Sequence, residues 1–259
     1  MTTFRRDVET DGRRAVVAFS TKISDDAIRR DFTMNALYAD RDGNVIDPLG
    51  GIDDLRAGCV RFIEDADQRI QEDFLRTLRY FRFHAWYGDT AEGLDASALA
   101  AIGSNLDGLE TLSAERVGLE IHKLLEAPNP STAVAAMAQT GVLGRILPGT
   151  DVRMLLLMIH GAEVLRIGPH WLGRLVALGG YDICSRLRLS KVEQREYDAI
   201  RHAAFEGPLL IETAFEHGCK VAIQALLIQC AMAETVPAQK IIDELRAAAN
   251  QVFPVTARD

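Results

Sequence analysis

Asp73, Arg76, Arg79 and Arg82 recur every three residues in Arg69-Ile70-Gln71-Glu72-Asp73-Phe74-Leu75-Arg76-Thr77-Leu78-Arg79-Tyr80-Phe81-Arg82-Phe83. A carboxylate accepts hydrogen bonds and a guanidinium donates them, so an Asp-x-x-Arg pair can meet the Watson–Crick edge of a base. On one helix these four positions form a slanted ridge. Ile70, Phe74, Leu78, Phe81 and Ala85 fall in a narrow sector opposite, which belongs in a core. Three successive arginines repel one another, and only Glu72 and Asp73 stand nearby in sequence to offset them. The ridge therefore suits a triphosphate or an RNA backbone, or else it is a solvated charged face.

A second group lies in Arg29-Arg30-Asp31-Phe32-Thr33-Met34-Asn35-Ala36-Leu37. On a helix Asp31 and Asn35 share a face, as do Arg30 and Met34. Asp31 and Asn35 could bond a ribose or an amide, with Phe32, Ala36 and Leu37 as core anchors; the alternative is an ordinary amphipathic helix. Asp47-Pro48-Leu49-Gly50-Gly51 is a tight turn linking strand to helix, with proline fixing one φ and two glycines open to positive φ. It lacks phosphate-loop spacing. Asp40-Arg41-Asp42 has Asp-x-Asp spacing but sits beside Gly43 in a hairpin turn, and Asp65-Ala66-Asp67 is a turn and cap. His84, His122, His160, His170, His202 and His217 show no paired ligand spacing and are structural.

These residues need elements to position them. Strands are expected at Ala15–Phe19 after the Asp11-Gly12 turn, at Val45-Ile46, and at Cys59–Ile63. Asp25 to Tyr38 is expected as a helix capped by Ser24 or Asp25. From residue 68 the strand signal ends. One helix should run from a cap at Asp67 to Tyr87 and stop at Gly88, and another should start at Ser113 with Val117, Ile121, Leu124 and Leu125 inward. After Pro128 and Pro130 helices are expected at 131–140, 151–166, 171–179, 191–204, 209–217, 220–233 and 237–250, broken by Gly141, Gly149, Gly168-Pro169, Gly207-Pro208 and Pro237. The fold class is α+β, mostly α. The chain divides into a small α/β piece at 1–67, a helical segment at 68–127 and a helical remainder at 128–259.

The chain has 259 residues, enough for one large domain or two to three small ones. No apolar run approaches the ~18 residues of a membrane helix, and the charged N-terminus lacks the apolar stretch of a secretory signal. Cys59, Cys184, Cys219 and Cys230 have no Cys-x-x-Cys spacing and suit reduced thiols in a cytoplasmic protein. A net charge of −8 argues against a generic nucleic-acid binder. Lysine occurs only at Lys22, Lys123, Lys191, Lys220 and Lys240, while arginines cluster in residues 1–82. Arginine's planar fork suits phosphate and base edges.

RRDFTMNAL, DPLGGIDDL, RIQEDFLRTLRYFRF and then Leu112-Ser113-Ala114-Glu115-Arg116 together resemble the successive motifs of class II tRNA nucleotidyltransferases and bacterial poly(A) polymerases. Thr2-Thr3-Phe4-Arg5-Arg6-Asp7 extends the likeness, which is specific for residues 1–125 and general beyond. The resemblance implies a polymerase-β-like nucleotidyltransferase head, incomplete here, followed by an all-helical neck that reads the nucleotide and a body that binds RNA. It implies CCA addition to tRNA from CTP and ATP, with tRNA bound by its acceptor end. It also implies that Arg30 and Asp31 contact phosphate and sugar, that Asp73 and Arg76 are the template for the base, and that Arg79 and Arg82 support the phosphates. Asn35 is a weaker candidate. Glu115 and Arg116 would brace the neck, more thinly because Gly118 stands where the family commonly places a second arginine. The family uses Mg2+ on an Asp-x-Asp pair that lies upstream of the Thr-Thr-Phe-Arg-Arg segment. The metal ligands are therefore expected outside this chain, which the resemblance treats as N-terminally truncated, with a complementary N-terminal segment or chain as a further partner. A non-catalytic RNA-binding remnant or split subunit, and a poly(A) polymerase, are the alternatives.

Overall fold

Among the described residues the paired strands lie in the first part of the chain, and helices carry the rest apart from a single bridge between Thr150 and Gly179. The structure, a computed structural model, describes residues 5–11, 14–19, 22–89, 93–207 and 209–251. They group into two compact units, 1–148 and 149–259.

In the first unit β1 (Arg5–Asp11) pairs antiparallel with β2 (Arg14–Phe19), and β3 (Tyr38–Ala39) with β4 (Val45–Ile46). Gly12 of the expected turn, Thr2–Phe4 and Pro208 lie outside the described residues. The helices are α1 (Ile23–Ile28), α2 (Gly51–Arg56), α3 (Ala66–Glu72), α4 (Leu75–Tyr87), α5 (Ala96–Ser104), α6 (Ala114–Leu125), α7 (Ser131–Gln139) and α8 (Val142–Ile146). α4 packs on α6 and α7, and α3 on α5. Ile70, Leu78, Tyr80, Phe81, Ile102, Ile121, Leu125 and Met137 are fully buried between them. Ser113 caps α6 as expected, accepting from the Arg116 N–H at 3.5 Å.

Three expectations for this unit are corrected. Asp25 to Tyr38 is not one helix: α1 starts after Lys22, ends at Ile28, and Phe32 turns extended (φ −128°, ψ 149°) to bridge Phe62. The Thr33 N–H donates to the Arg61 carbonyl at 3.0 Å, and the Ile63 N–H to the Asp31 carbonyl at 3.1 Å. Phe32 is wholly buried, its ring 5.0 Å from those of Phe62 and Phe83. That packing outweighs local helix preference, and only a 3-10 turn at Thr33–Asn35 remains. For the same reason Cys59–Ile63 contributes a single bridge instead of a strand. Finally, the helix expected from Asp67 to Tyr87 is two helices broken at Asp73-Phe74, and its cap is Asp65, which accepts from the Gln68 N–H at 2.8 Å.

The second unit contains α9 (Val152–Val164), α10 (Trp171–Leu178), α11 (Ile183–Arg186), α12 (Lys191–Phe205), α13 (Leu210–His217), α14 (Cys219–Met232) and α15 (Gln239–Ala249). α14 is buried without interruption from Val221 to Ile228, and α9, α10, α12, α13 and α15 pack around it. A helix apolar on all sides has to be central. Ser190 and Glu193 form a reciprocal capping box at the start of α12. No helix among the described residues is long and apolar enough to cross a membrane.

His170 caps α10: its Nδ1 accepts from the Gly173 N–H at 3.1 Å, while Nε2 meets Glu196 Oε1 at 3.1 Å. Both contacts require a neutral ring with its proton on Nε2. Burial outweighs the pull of Glu196 and holds the His170 pKa below the usual 6.5, and burial does the same at His84. A folded-state pKa below the unfolded one means that the unfolded chain takes up protons first. Stability is then full above 6.5 and is lost as pH falls through the lowered values. Chemical unfolding from about pH 7.5 to 5 should show this loss, and His170→Asn, which keeps a capping side chain, should flatten it. An unchanged slope in that variant would remove His170 as a contributor.

Candidate functional site

The break between α3 and α4 decides what the Asp73 and Arg76 side chains can do. Asp73 is extended (φ −156°, ψ 104°), its Oδ1 accepts from the Leu75 N–H at 3.1 Å, and its carbonyl accepts from the Arg76 N–H at 2.9 Å. The aspartate thus ends one helix and starts the next. Its Oδ2 accepts from Arg116 Nη2 at 2.6 Å. Phe74 lies against Gly108, where an added Cβ would fall 2.1 Å from the ring, so only glycine admits the ring there. Glu72, Asp73, Phe74, Leu112 and Arg116 line a cavity of about 510 Å³.

Along α4 the arginines are paired with carboxylates that sequence distance hid. Asp31 receives Arg76 Nε at 3.3 Å and also the Nε of Arg79. Glu72 Oε2 receives Nη1 of both Arg69 and Arg76 at 2.5 Å. Glu120, on α6, receives Arg82 Nε at 2.5 Å, with Arg79 Nη1 4.0 Å away. Arg82 also lies over the Phe83 ring at 4.6 Å. The side chains of Arg76, Arg82, Asp31 and Glu120 are only 13%, 13%, 12% and 7% exposed. The expectation that only Glu72 and Asp73 offset the arginines is therefore corrected. The ridge is a paired row largely withdrawn from water, not a solvated face, and its composition needs no outside anion.

Arg76 is held on two sides. Its Nε belongs to Asp31, and its Nη1 to Glu72 and to the Arg69 carbonyl at 2.8 Å. Its Nη2 has no acceptor among the described residues. The Nη2 edge can donate to a flat polar ligand, and the Asp73 carboxylate on the cavity wall, three residues earlier, can accept from one.

The other candidates lie elsewhere in the first unit. Arg30 donates to Asp26 Oδ2 at 3.0 Å, and Tyr38 donates to the same atom at 2.8 Å. Burial opposes the Arg30 charge, but Asp26 outweighs it and raises the pKa above its ordinary value. Burial and the same carboxylate push the Tyr38 hydroxyl up to about 12. Asn35 Oδ1 accepts from the Phe32 N–H at 3.3 Å, a structural use of the side chain. The structure thus gathers Asp31, Arg76, Arg79 and Arg82 in one row, sets Asp73 at its head, and leaves Arg30 and Asn35 in other contacts. Sequence reasoning missed Arg69 and Glu120. Glu120 sits four residues after Arg116, and that spacing on an otherwise apolar helical stripe was the one available signal. Arg116 does brace the segment, through Asp73.

Asp40 accepts from the Asp42 and Asn44 N–H groups at 2.8 and 2.9 Å, as a hairpin turn requires. Among the described residues no three or more His, Cys, Asp or Glu side chains gather as a metal site. A second cavity, about 640 Å³, lies in the 149–259 unit beside Arg195, Glu196, His217 and Lys220, and none of the candidates named from sequence lines it.

Comparison with known proteins places these features in context. The family described as "Poly A polymerase head domain" matches residues 1–61, and "Probable RNA and SrmB-binding site of polymerase A" matches 94–154. The chain is 46% identical over 125 residues to human mitochondrial CCA tRNA nucleotidyltransferase 1, covering 48% of this chain and 29% of that one. It is 38% identical over 151 residues to the CCA-adding enzyme of Geobacillus thermodenitrificans, covering 58% and 36%. The Bacillus stearothermophilus CCA-adding enzyme, solved in complex with CTP, superposes with a TM-score of 0.72 at 27% identity, covering 95% of this chain and 62% of that one. The matched stretches thus span about a third of the curated relatives' length.

Proposed function

We propose that this chain, which belongs to the family of CCA-adding enzymes and poly(A) polymerases, serves a tRNA nucleotidyltransferase reaction that adds CMP and AMP from CTP and ATP to tRNA 3′ ends. In this reading residues 1–67 are the head, 68–127 the nucleotide-reading neck and 128–259 the RNA-binding body. One observation carries the proposal: Asp73 stands at a helix break on a cavity wall, and Arg76 is clamped with only Nη2 unclaimed.

Cytosine and adenine both present an amino donor beside a ring nitrogen acceptor, whereas uracil and guanine present a carbonyl where that amine would be. A carboxylate accepting from the amine and a guanidinium donating to the acceptor therefore serve CTP and ATP alike and reject UTP and GTP. Asp73 takes the first role and Arg76 the second. Asp31, Arg79 and Arg82 act mainly by holding Arg76 and α4 in place, while the exposed edges of Arg30 and Arg79 face the sugar and phosphates. The body holds the tRNA acceptor end.

Arg76→Ala should weaken CTP and ATP binding by about tenfold or more and blur their preference over UTP and GTP, because a charged hydrogen bond is lost. Lys191→Ala should do neither. Equilibrium titration of both variants checks this, and unchanged affinity and selectivity in Arg76→Ala would refute the template role. The reaction itself is tested with tRNA lacking its terminal CCA, plus CTP and ATP. Incorporation of AMP alone would favour poly(A) polymerase, the activity in the description matched by residues 1–61. Tight tRNA binding without any incorporation would favour a non-catalytic RNA-binding role.

A further inference from the structure

We propose that Arg69 is the positioning residue for base choice, setting through Glu72 the direction in which Arg76 presents its unclaimed Nη2 edge. This rests on the template role of Arg76 given above. Arg69 lies in the last turn of α3 and is only 6% exposed. Its Nη1 donates to Glu72 Oε2 and its Nη2 to the Arg30 carbonyl, each at 2.5 Å. The same Glu72 oxygen receives Arg76 Nη1, and the Arg69 carbonyl receives that Nη1 as well. Arg69 therefore reaches Arg76 by two routes, one through its side chain and one through its backbone.

The arrangement is costly as a mere filler. Burial lowers the Arg69 pKa, the neighbouring Arg76 charge lowers it further, and its Nε is buried with no acceptor among the described residues. An apolar side chain of similar length would fill the space without a buried charge. It could not pin Glu72 from the far side, nor tie the 30–31 segment to the α3–α4 break. Glu72 is 31% exposed, so without Arg69 it is free to turn toward water. Arg76 would then keep Asp31 on Nε and lose its side-chain partner on Nη1. Its plane would swing about the Asp31 contact and its free edge would no longer point one way. Affinity should fall modestly, and discrimination between an amine-bearing and a carbonyl-bearing base should fall more.

The test is a double-mutant cycle on the full chain, with Kd for CTP and UTP as the readout. Arg69→Met should narrow the CTP-over-UTP preference by about tenfold, and should narrow it no further in an Arg76→Ala background. Arg69→Lys keeps the charge but cannot bridge two acceptors as a fork, so an intermediate loss is expected. That variant also serves if Arg69→Met does not fold. Loss of preference by the same factor with and without Arg76 would overturn the inference, because a general packing role acts independently of Arg76. Unchanged preference in folded Arg69→Met would overturn it too. Absence of CTP binding by the unaltered chain would overturn both this inference and the function it rests on.

Discussion

Asp31→Ala should destabilise the first unit by about 3–5 kcal/mol, the range for removing one partner of a buried ion pair. Its carboxylate is the shared acceptor for the Nε groups of Arg76 and Arg79, and it is 12% exposed. Removal leaves two guanidiniums facing each other with little water to screen them. Only Glu72 and, at 4.0 Å, Glu120 remain in reach. Urea unfolding followed by Trp86 fluorescence in a Trp171→Phe background reports on this unit alone. Replacing Arg79 by Met together with Asp31 should cost less than the two single changes added, because the orphaned charge leaves with its partner. A loss under about 1 kcal/mol for Asp31→Ala would mean that the row behaves as exposed surface pairs.

Gly51→Ala should be at least as damaging, at about 3 kcal/mol or more, through a steric clash and not through charge. A Cβ at Gly51 would lie 2.1 Å from the Thr33 carbonyl oxygen and 2.5 Å from its carbon. Both are backbone atoms, so the strain cannot be relieved by turning a side chain. The 3-10 turn would have to move, and with it the Thr33 hydroxyl bond to Asp54 and the buried Phe32 ring. Gly50→Ala is the control. Gly50 has φ +73° and open space around its Cβ position, so that change should cost only about 1 kcal/mol of left-handed strain. Thermal unfolding of the two variants decides the matter, and equal costs would show that Gly51 and Thr33 are not in close contact. Both glycines of the turn are open to positive φ by residue type. Only Gly50 adopts it, and Gly51 is glycine because another chain segment presses on it.

Much of the helical part was legible because its signals are local. Ser113 marks the start of α6, and the glycine and proline breaks after residue 128 bound most of the later helices. Short α8 and α11, and α5 with its Asp95 cap, were missed among glycine-rich or small-residue stretches. Asp25–Tyr38 was misread because the decisive contact, Phe32 with Phe62, comes from thirty residues away and leaves no trace in a local period. The α3–α4 break escaped for a related reason. Apolar residues keep helical spacing on both sides of it, and the only local sign is an Asx turn from Asp73 to Leu75. At the candidate site the residue types were legible but their partners were not. Asp31 and Glu120 reach the arginines from 48 and 38 positions away.

The row from Arg69 to Arg82 also limits how this sequence can drift. Asp31 and Glu72 each serve two arginines, and Arg76 answers to both carboxylates. Loss of either shared carboxylate strands two arginines at once, and the next step then starts from a chain already weakened by several kcal/mol. A carboxylate of this row is therefore replaced at least cost together with the arginines it serves.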